Sequence, residues 1–315
     1  MVNLLQVTPE YRLRVWGGQR LGRGEGGAPM GEAWLVYEAN RVAGGPWAGR
    51  TLAEVVAAEP EHWLGTAVAG ARFPLLLKLL DCADWLSVQV HPNDAQAEQL
   101  AGPGQLGKTE AWHILEAEPG ARLIAGVRPG ASAEALAAAI RTGTILDWVQ
   151  YYPVHAGDTV YIPAGTLHAL GPGLFLYEIQ QTSDITYRIY DWNRPASQGR
   201  TLHLDESVIA VNPAMAGERR PAPRLGEEDS QRILDNPFFA LEVVTGAQAV
   251  SAGDTHGASF HALTLVQGQA EVHSGGEQVT LNRFDSVIVA AGAGAYEIRP
   301  LGAYRLLRAL AGQTR

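Results

Sequence analysis

The stretch Gly157-Asp158-Thr159-Val160-Tyr161-Ile162-Pro163-Ala164-Gly165-Thr166-Leu167-His168-Ala169-Leu170 decides the reading of this chain. Thr159 to Ile162 is a short β-branched and aromatic run, closed by Pro163 and Gly165, as a strand running into a turn is closed. Similar runs surround it: Leu86 to Val90, Leu123 to Gly126, Leu174 to Ile179 and Thr186 to Tyr190. Gly, Pro and Asp separate them at short intervals, which is the pattern of an all-β sandwich or barrel. The stretch also has an echo. Asp285-Ser286-Val287 and then Ala291-Gly292 repeat the offsets of Asp158-Thr159-Val160 and Ala164-Gly165, with Ala295 at the position of His168. Two jelly-roll units explain this, and chance explains it too for so short a match.

Helices interrupt the strands in three places. Leu52 to Ala69 follows Thr51, an N-cap with Glu54 in capping-box position, and Pro60 breaks or kinks it. A second helix covers Ala95 to Leu100, after Pro92-Asn93-Asp94, and a third covers Ala133 to Arg141 after a Ser132 cap. Pro213 to Ser230 is rich in Pro, Gly and charge without an apolar period, and reads as a linker or long surface connection. This places a first domain at residues 1–230 and a smaller β domain at 231–315.

The whole-chain properties narrow the function classes. A net charge of −9 in 315 residues disfavours nucleic-acid binding, which needs a basic patch against phosphates. No stretch of about eighteen apolar residues exists to span a membrane, and Met1 to Tyr11 lacks the form of a secretory signal. Cys82 is the single cysteine, so no internal disulfide forms, which fits a reducing cytoplasm. Oligomeric state is not legible.

Four polar residues stand out as metal ligands. Gln89 and His91 alternate around Val90, so both leave one face of a strand that Pro92 ends. Glu110 precedes the apolar Ala111-Trp112, and His168 closes the opening stretch. Imidazole nitrogens and a carboxylate oxygen are the ligands of a catalytic zinc site with an open position, and a Gln carbonyl oxygen is a weaker fourth. A strand histidine satisfied by ordinary hydrogen bonds is the plain alternative for each, and no C-x-x-C or H-E-x-x-H pattern adds support.

Longer blocks carry a resemblance. Pro74-Leu75-Leu76-Leu77-Lys78 through Leu86-Ser87-Val88-Gln89-Val90-His91-Pro92 is similar to the type I phosphomannose isomerases of the cupin superfamily. So are Gly107-Lys108-Thr109-Glu110-Ala111-Trp112, the opening stretch, and Glu178 through Tyr187-Arg188 to Trp192. Trp16-Gly17-Gly18 and Gly31-Glu32-Ala33-Trp34 resemble the family's first motifs, with Ala33 where Ser is expected. The blocks occur in order over about residues 10 to 205, and the length resembles the short bacterial form.

The resemblance implies a jelly-roll cupin barrel with inserted helices, followed by a smaller degenerate β domain. It implies one zinc per chain on Gln89, His91, Glu110 and His168, although iron, cobalt or manganese fit the same donors. It implies interconversion of mannose 6-phosphate and fructose 6-phosphate through a cis-enediol. Arg188 takes the place of an active-site arginine that stabilises developing charge. Glu178 is the candidate proton shuttle, with a structural partner of Arg188 as its alternative. Lys108, two residues before Glu110, joins them as a catalytic candidate. Ser87 and Lys78 are candidates for the hexose phosphate. Asp184 is a further substrate-binding candidate and a rival shuttle, or else a turn cap. Another metal cupin, whether a sugar isomerase or an oxygenase, shares the ligand set without needing the cations. A non-catalytic sugar-phosphate-binding module would lose a ligand or the arginine while keeping the shell.

Overall fold

The computed structural model describes residues 1–195 and 200–312, with the side chain of Arg23 left aside. Strands dominate it, as the turn-punctuated runs predict. The chain divides into two compact units, one of residues 11–33 and 78–222, the other of residues 1–10, 34–77 and 223–315. The break at 222/223 lies close to the boundary read at 230/231. The N-terminal stretches 1–10 and 34–77, however, group with the C-terminal β unit.

Two sheets supply the functional residues. The smaller runs in the order Tyr187–Tyr190, Val88–Val90, His168–Leu170, Arg122–Val127, Val149–Pro153. The larger runs Glu218–Arg220, Thr159–Ile162, Glu110–Ala117, Leu174–Gln181, Leu75–Cys82, Glu10–Arg23, Pro29–Val36. Alternation decides what each strand buries. Leu80 and Cys82, Trp112 and Ile114, Val160 and Ile162, Leu170, Leu174 and Leu176 meet in one core. Continuing the same parity brings in Lys78, Glu110, His168 and Glu178, all buried. One end of the barrel interior is therefore apolar and the other polar. The opposite face of the smaller sheet, Val88, Val90, Ile124, Ala169 and Ile189, packs under Leu136, Ala139 and Ile140 of the helix Ala133–Thr142.

Local signals hold where chemistry enforces them. Asn93 and Gln96 form a reciprocal capping box on helix Asp94–Ala101, and Ser132 caps helix Ala133–Thr142. Thr51 and Glu54 cap helix Leu52–Ala58, and Pro60 opens a separate helix, Pro60–Leu64. The latter stops at Gly65, whose φ of 80° leaves the helical region, so the helix does not reach Ala69. One expectation fails and one element went unread. Within Pro213 to Ser230, Glu218–Arg220 is a strand paired with Thr159–Ile162 at the sheet edge. An edge strand carries charge outward and so shows no apolar period. The helix Leu204–Ala210 was not anticipated, because His203 gives it no side-chain cap.

The other unit holds a six-stranded sheet, from Leu4–Leu5 to Asp229–Asp235, and a four-stranded sheet of Ser251–Asp254, Ala295–Pro300, Ala270–Ser274 and Glu277–Leu281. The sequence echo is visible in it. Ser286–Val289 lies in the larger sheet and Ala295–Pro300 in the smaller, as Thr159–Ile162 and His168–Leu170 do in the first unit. The facing differs by one residue: Ala295 is exposed, and Tyr296 and Ile298 enter the core. Among the described residues no helix is long and apolar enough to cross a membrane.

Candidate metal centre

Register brings the candidate ligands together. Gln89 pairs across the smaller sheet with His168 on one side and Arg188 on the other. Glu110 lies on the larger sheet, opposite Gln180 and Ile162. His91, Glu110 and His168 converge so that their donor atoms lie within 4.8 Å of one another. His91 Nε2 is 3.4 Å from Glu110 Oε2, and His168 Nε2 is 3.3 Å from Glu110 Oε1. Donors about 2.0–2.1 Å from a tetrahedral zinc lie roughly 3.3–3.4 Å apart, so this spacing suits the ion.

The hydrogen bonds around the set favour ligation. His91 Nδ1 meets the Ile185 carbonyl and His168 Nδ1 the Thr166 carbonyl, both at 2.9 Å. Each Nδ1 must therefore carry the proton, so each Nε2 keeps its lone pair as a donor for a metal, although at His91 that lone pair accepts from Lys108 Nζ at 3.1 Å. Burial, and then the Lys108 charge, lower the His91 pKa to about 3. Burial lowers that of His168 against the pull of Glu110. Both rings are neutral near pH 7, as ligands must be. Burial alone would raise the Glu110 pKa, but Lys108 and then His91 and His168 hold it well below the usual carboxylate range. Neither Glu110 oxygen has an aligned hydrogen bond, although Lys108 Nζ stands 2.9 Å from Oε2. A buried carboxylate with unused lone pairs between two neutral imidazoles fits a divalent cation. Gln89 Nε2 lies 3.1 Å from His168 Nε2. Turning this amide over would present Oε1 there, and the two orientations differ only in which atom is named oxygen.

The remaining predicted residues surround one polar cavity of about 450 Å³, within the size range of small-molecule sites. Lys78, Ser87, Lys108, Glu178, Asp184 and Arg188 all line it. Lys78 Nζ donates to Glu178 Oε1 at 2.9 Å and to Gln180 Oε1 at 2.7 Å. Trp112 Nε1 donates to the other Glu178 oxygen at 3.0 Å. Glu178 thus pairs with Lys78 and not with Arg188. Arg188 Nε meets Ser87 Oγ, which in turn meets Gln89 Oε1. Asp184 is 56% exposed and only 3.8 Å from Arg12, so it is a loose rim residue. Lys108 resists burial, which would lower its pKa, because Glu110 and then Glu178 raise it.

A larger cavity of about 780 Å³ lies near Gly17, Arg20, Asp81 and Glu118. Size does not make it the site. Its one cation, Arg20, is neutralised by Asp81 and Glu118, and no imidazole lines it.

Arg14, Glu32, Thr186, Arg200 and His203 also line the polar cavity and were not singled out from the sequence. Arg14 had a signal, since it sits two residues before Trp16 on one strand face, while Leu13 and Val15 are exposed. Arg200 and His203 follow a turn-rich stretch and had none. Trp16 walls the cavity, whereas Trp192 stacks on Trp85 and donates to the Leu86 carbonyl.

Comparison with known proteins agrees with this geometry. Residues 4–111 match the family model of the phosphomannose isomerase type I catalytic domain, a span that includes Gln89, His91 and Glu110. The chain is 34% identical over 303 residues to the mannose-6-phosphate isomerase of Streptococcus mutans, covering 92% of this chain and 93% of that one. The crystal structure of the mannose 6-phosphate isomerase from Bacillus subtilis superposes with a TM-score of 0.81 at 28% identity, over 98% of this chain and 99% of that one. A mannose 6-phosphate isomerase structure with zinc bound shares the fold at 17% identity, with a TM-score of 0.74 over 99% of this chain and 100% of that one. The chain belongs to the type I phosphomannose isomerase family.

Proposed function

We propose that this chain interconverts mannose 6-phosphate and fructose 6-phosphate in the cavity above His91, Glu110 and His168, with one zinc ion on those residues and Gln89. The supporting observation is the convergence of two neutral imidazoles and a carboxylate, from facing sheets, joined to a cation-lined cavity through Gln89 and Lys108, which line it and touch His168 and Glu110. The family assignment gives the reaction and the substrate class. Zinc is favoured by the donor set and by the zinc-bound fold relative.

Bound there, the metal supplies Lewis-acid polarisation of the sugar oxygens. The chain's own groups do the rest. Moving a proton from C2 to C1 through a cis-enediol needs an acceptor beside both carbons. In this reading Glu178 Oε1 takes and returns that proton, with Lys78 Nζ at 2.9 Å balancing its charge. Lys108 Nζ is the fixed cation nearest the ligand set and faces the charge that develops on the enediol oxygens. Arg188, separated from Gln89 by Ser87, adds positive charge from further out. Ser87 and Asp184 border the path of the substrate. We place the enzyme in the cytoplasm, where the buried thiol of Cys82 stays reduced.

A coupled assay of mannose 6-phosphate conversion tests the reading on protein as purified, after chelator treatment, and after zinc is restored. Activity should vanish with the chelator and return with zinc. No turnover in any metal state would refute the isomerase reading, and turnover indifferent to chelation would refute the metal.

A further inference from the structure

Five cationic side chains line the polar cavity against three anionic ones, in a chain of net charge −9. Two of the cations, Lys78 and Lys108, are deep and already committed to Glu178 and Glu110. The other three are guanidinium groups, Arg14, Arg188 and Arg200. Their bonding differs in a telling way. Arg14 is locked on Glu32 through Nε and Nη2, both at 3.0 Å, and its Nη1 meets the Leu13 carbonyl. Arg200 is held on Asp191 through Nε and Nη2, which leaves its Nη1 without a hydrogen bond among the described residues. Arg188 donates from Nε to Ser87 Oγ at 3.2 Å and from Nη1 to the Thr201 carbonyl at 2.8 Å. Its Nη2 has no hydrogen bond and the group no carboxylate partner among the described residues. Burial, then the charge of Arg200 and more weakly that of Arg14, push the Arg188 pKa down against the pull of Asp191. Like charges gathered around a half-buried cation are what a bound anion relieves.

We propose that Arg188 and Arg200 grip the phosphate of the substrate, at the end of the cavity where Arg14 is fixed on Glu32. The inference rests on the sugar-phosphate reading above and relocates the phosphate away from Lys78. Lys78 already serves two acceptors and stands among the reacting groups. An open-chain hexose 6-phosphate carries its reacting carbons and its phosphate at opposite ends, and the cavity is divided likewise. From His168, three successive contacts of 3.1, 3.3 and 3.2 Å through Gln89 and Ser87 lead out to Arg188. Planar guanidinium groups suit phosphate oxygens, and a dianion matches the local excess of charge.

Arg200→Gln is the informative variant, because Arg194 still holds Asp191 at 2.8 Å and no buried carboxylate is stranded. Titration calorimetry of the full chain with inorganic phosphate should show affinity falling about tenfold or more, as the loss of a charged hydrogen bond implies. Arg200→Lys should recover part of it. In turnover of mannose 6-phosphate the loss should appear in KM and not in kcat. Phosphate affinity and KM both within twofold of wild type would overturn the subsite. So would a phosphate affinity that falls in Lys78→Met but not in Arg200→Gln. Failure of the wild-type chain to isomerise mannose 6-phosphate would defeat the isomerase reading alone, since the phosphate titration decides the subsite independently of turnover.

Discussion

The buried Lys78–Glu178 pair offers the sharpest test of how the proton moves. Lys78 Nζ and Glu178 Oε1 are 2.9 Å apart, with both side chains about 5% exposed. At an effective dielectric of about 20, unit charges at this distance attract by about 6 kcal/mol. Glu178→Gln removes that attraction while keeping the shape and an acceptor for Trp112 or Lys78. It leaves a buried ammonium without its carboxylate, so the expected cost is about 3–5 kcal/mol of stability. A second change separates charge from chemistry. In the double variant Lys78→Met, Glu178→Gln, no charge is stranded, and stability should return to within about 1–3 kcal/mol of wild type. Turnover should not return, because the proton carrier is still missing. Urea denaturation gives the stabilities, and the coupled assay at a temperature where every variant is folded gives the rates. A shuttle is typically worth ~10²–10⁴ in rate, so a double variant within about tenfold of wild type would refute proton transfer by Glu178. The carboxylate would then be a positioning partner for Lys78, and Asp184 at the rim would inherit the question.

Other consequences are open to measurement. His168→Ala should lose metal content and isomerase rate together, read by elemental analysis and the coupled assay; full retention of both would exclude it as a ligand. Burial, and then Arg308, lower the His261 pKa to about 3. The unfolded chain takes up that proton near pH 6.5 and the folded chain does not, so the stability is intact above pH 6.5 and is lost as pH falls toward 3. The loss between pH 7 and 5 is about 2 kcal/mol, and His261→Gln should remove that part of the acid sensitivity in denaturation curves. Thr51→Ala removes the hydroxyl that accepts from the Glu54 amide and should cost about 1 kcal/mol. An unchanged urea midpoint would show that this cap contributes nothing.

What the sequence revealed follows from how local each signal is. Strand runs such as Thr159–Ile162 are legible because alternation and turn residues are written within a few positions. The candidate ligands stand out because they sit in long blocks that resemble the family, where polar residues interrupt apolar strands and a buried polar residue needs a reason. The units are less legible. Residues 1–10 and 34–77 group with 223–315 through pairings such as Leu4 with Val289, which no local pattern announces. The edge strand Glu218–Arg220 was hidden because its register partner, not its own composition, makes it a strand. Arg200 was hidden for a similar reason: Asp191 holds it close enough to Arg188 for their charges to interact, and no periodicity marks it.

The second barrel shows how little separates a candidate metal centre from a core without one. Its strands Ser286–Val289 and Ala295–Pro300 begin at the offsets of Thr159–Ile162 and His168–Leu170, and they occupy the same pair of sheet positions. In the first unit His168 and Leu170 face inward, while Ala169 joins the packing on the other face. In the second unit the phase is reversed: Tyr296 and Ile298 enter the core and Ala295 points out. A slip of one residue in a strand moves every side chain to the opposite face. A histidine placed at Ala295 would therefore meet solvent, whatever the sequence alignment implies. The inward end is instead filled by Tyr296, which meets His261 at 2.8 Å and Arg308 at 3.3 Å, with Glu242 tied to Arg232 and Arg308 beside them. The fold supplies two similar barrels, and strand phase decides which of them turns its donors toward one point.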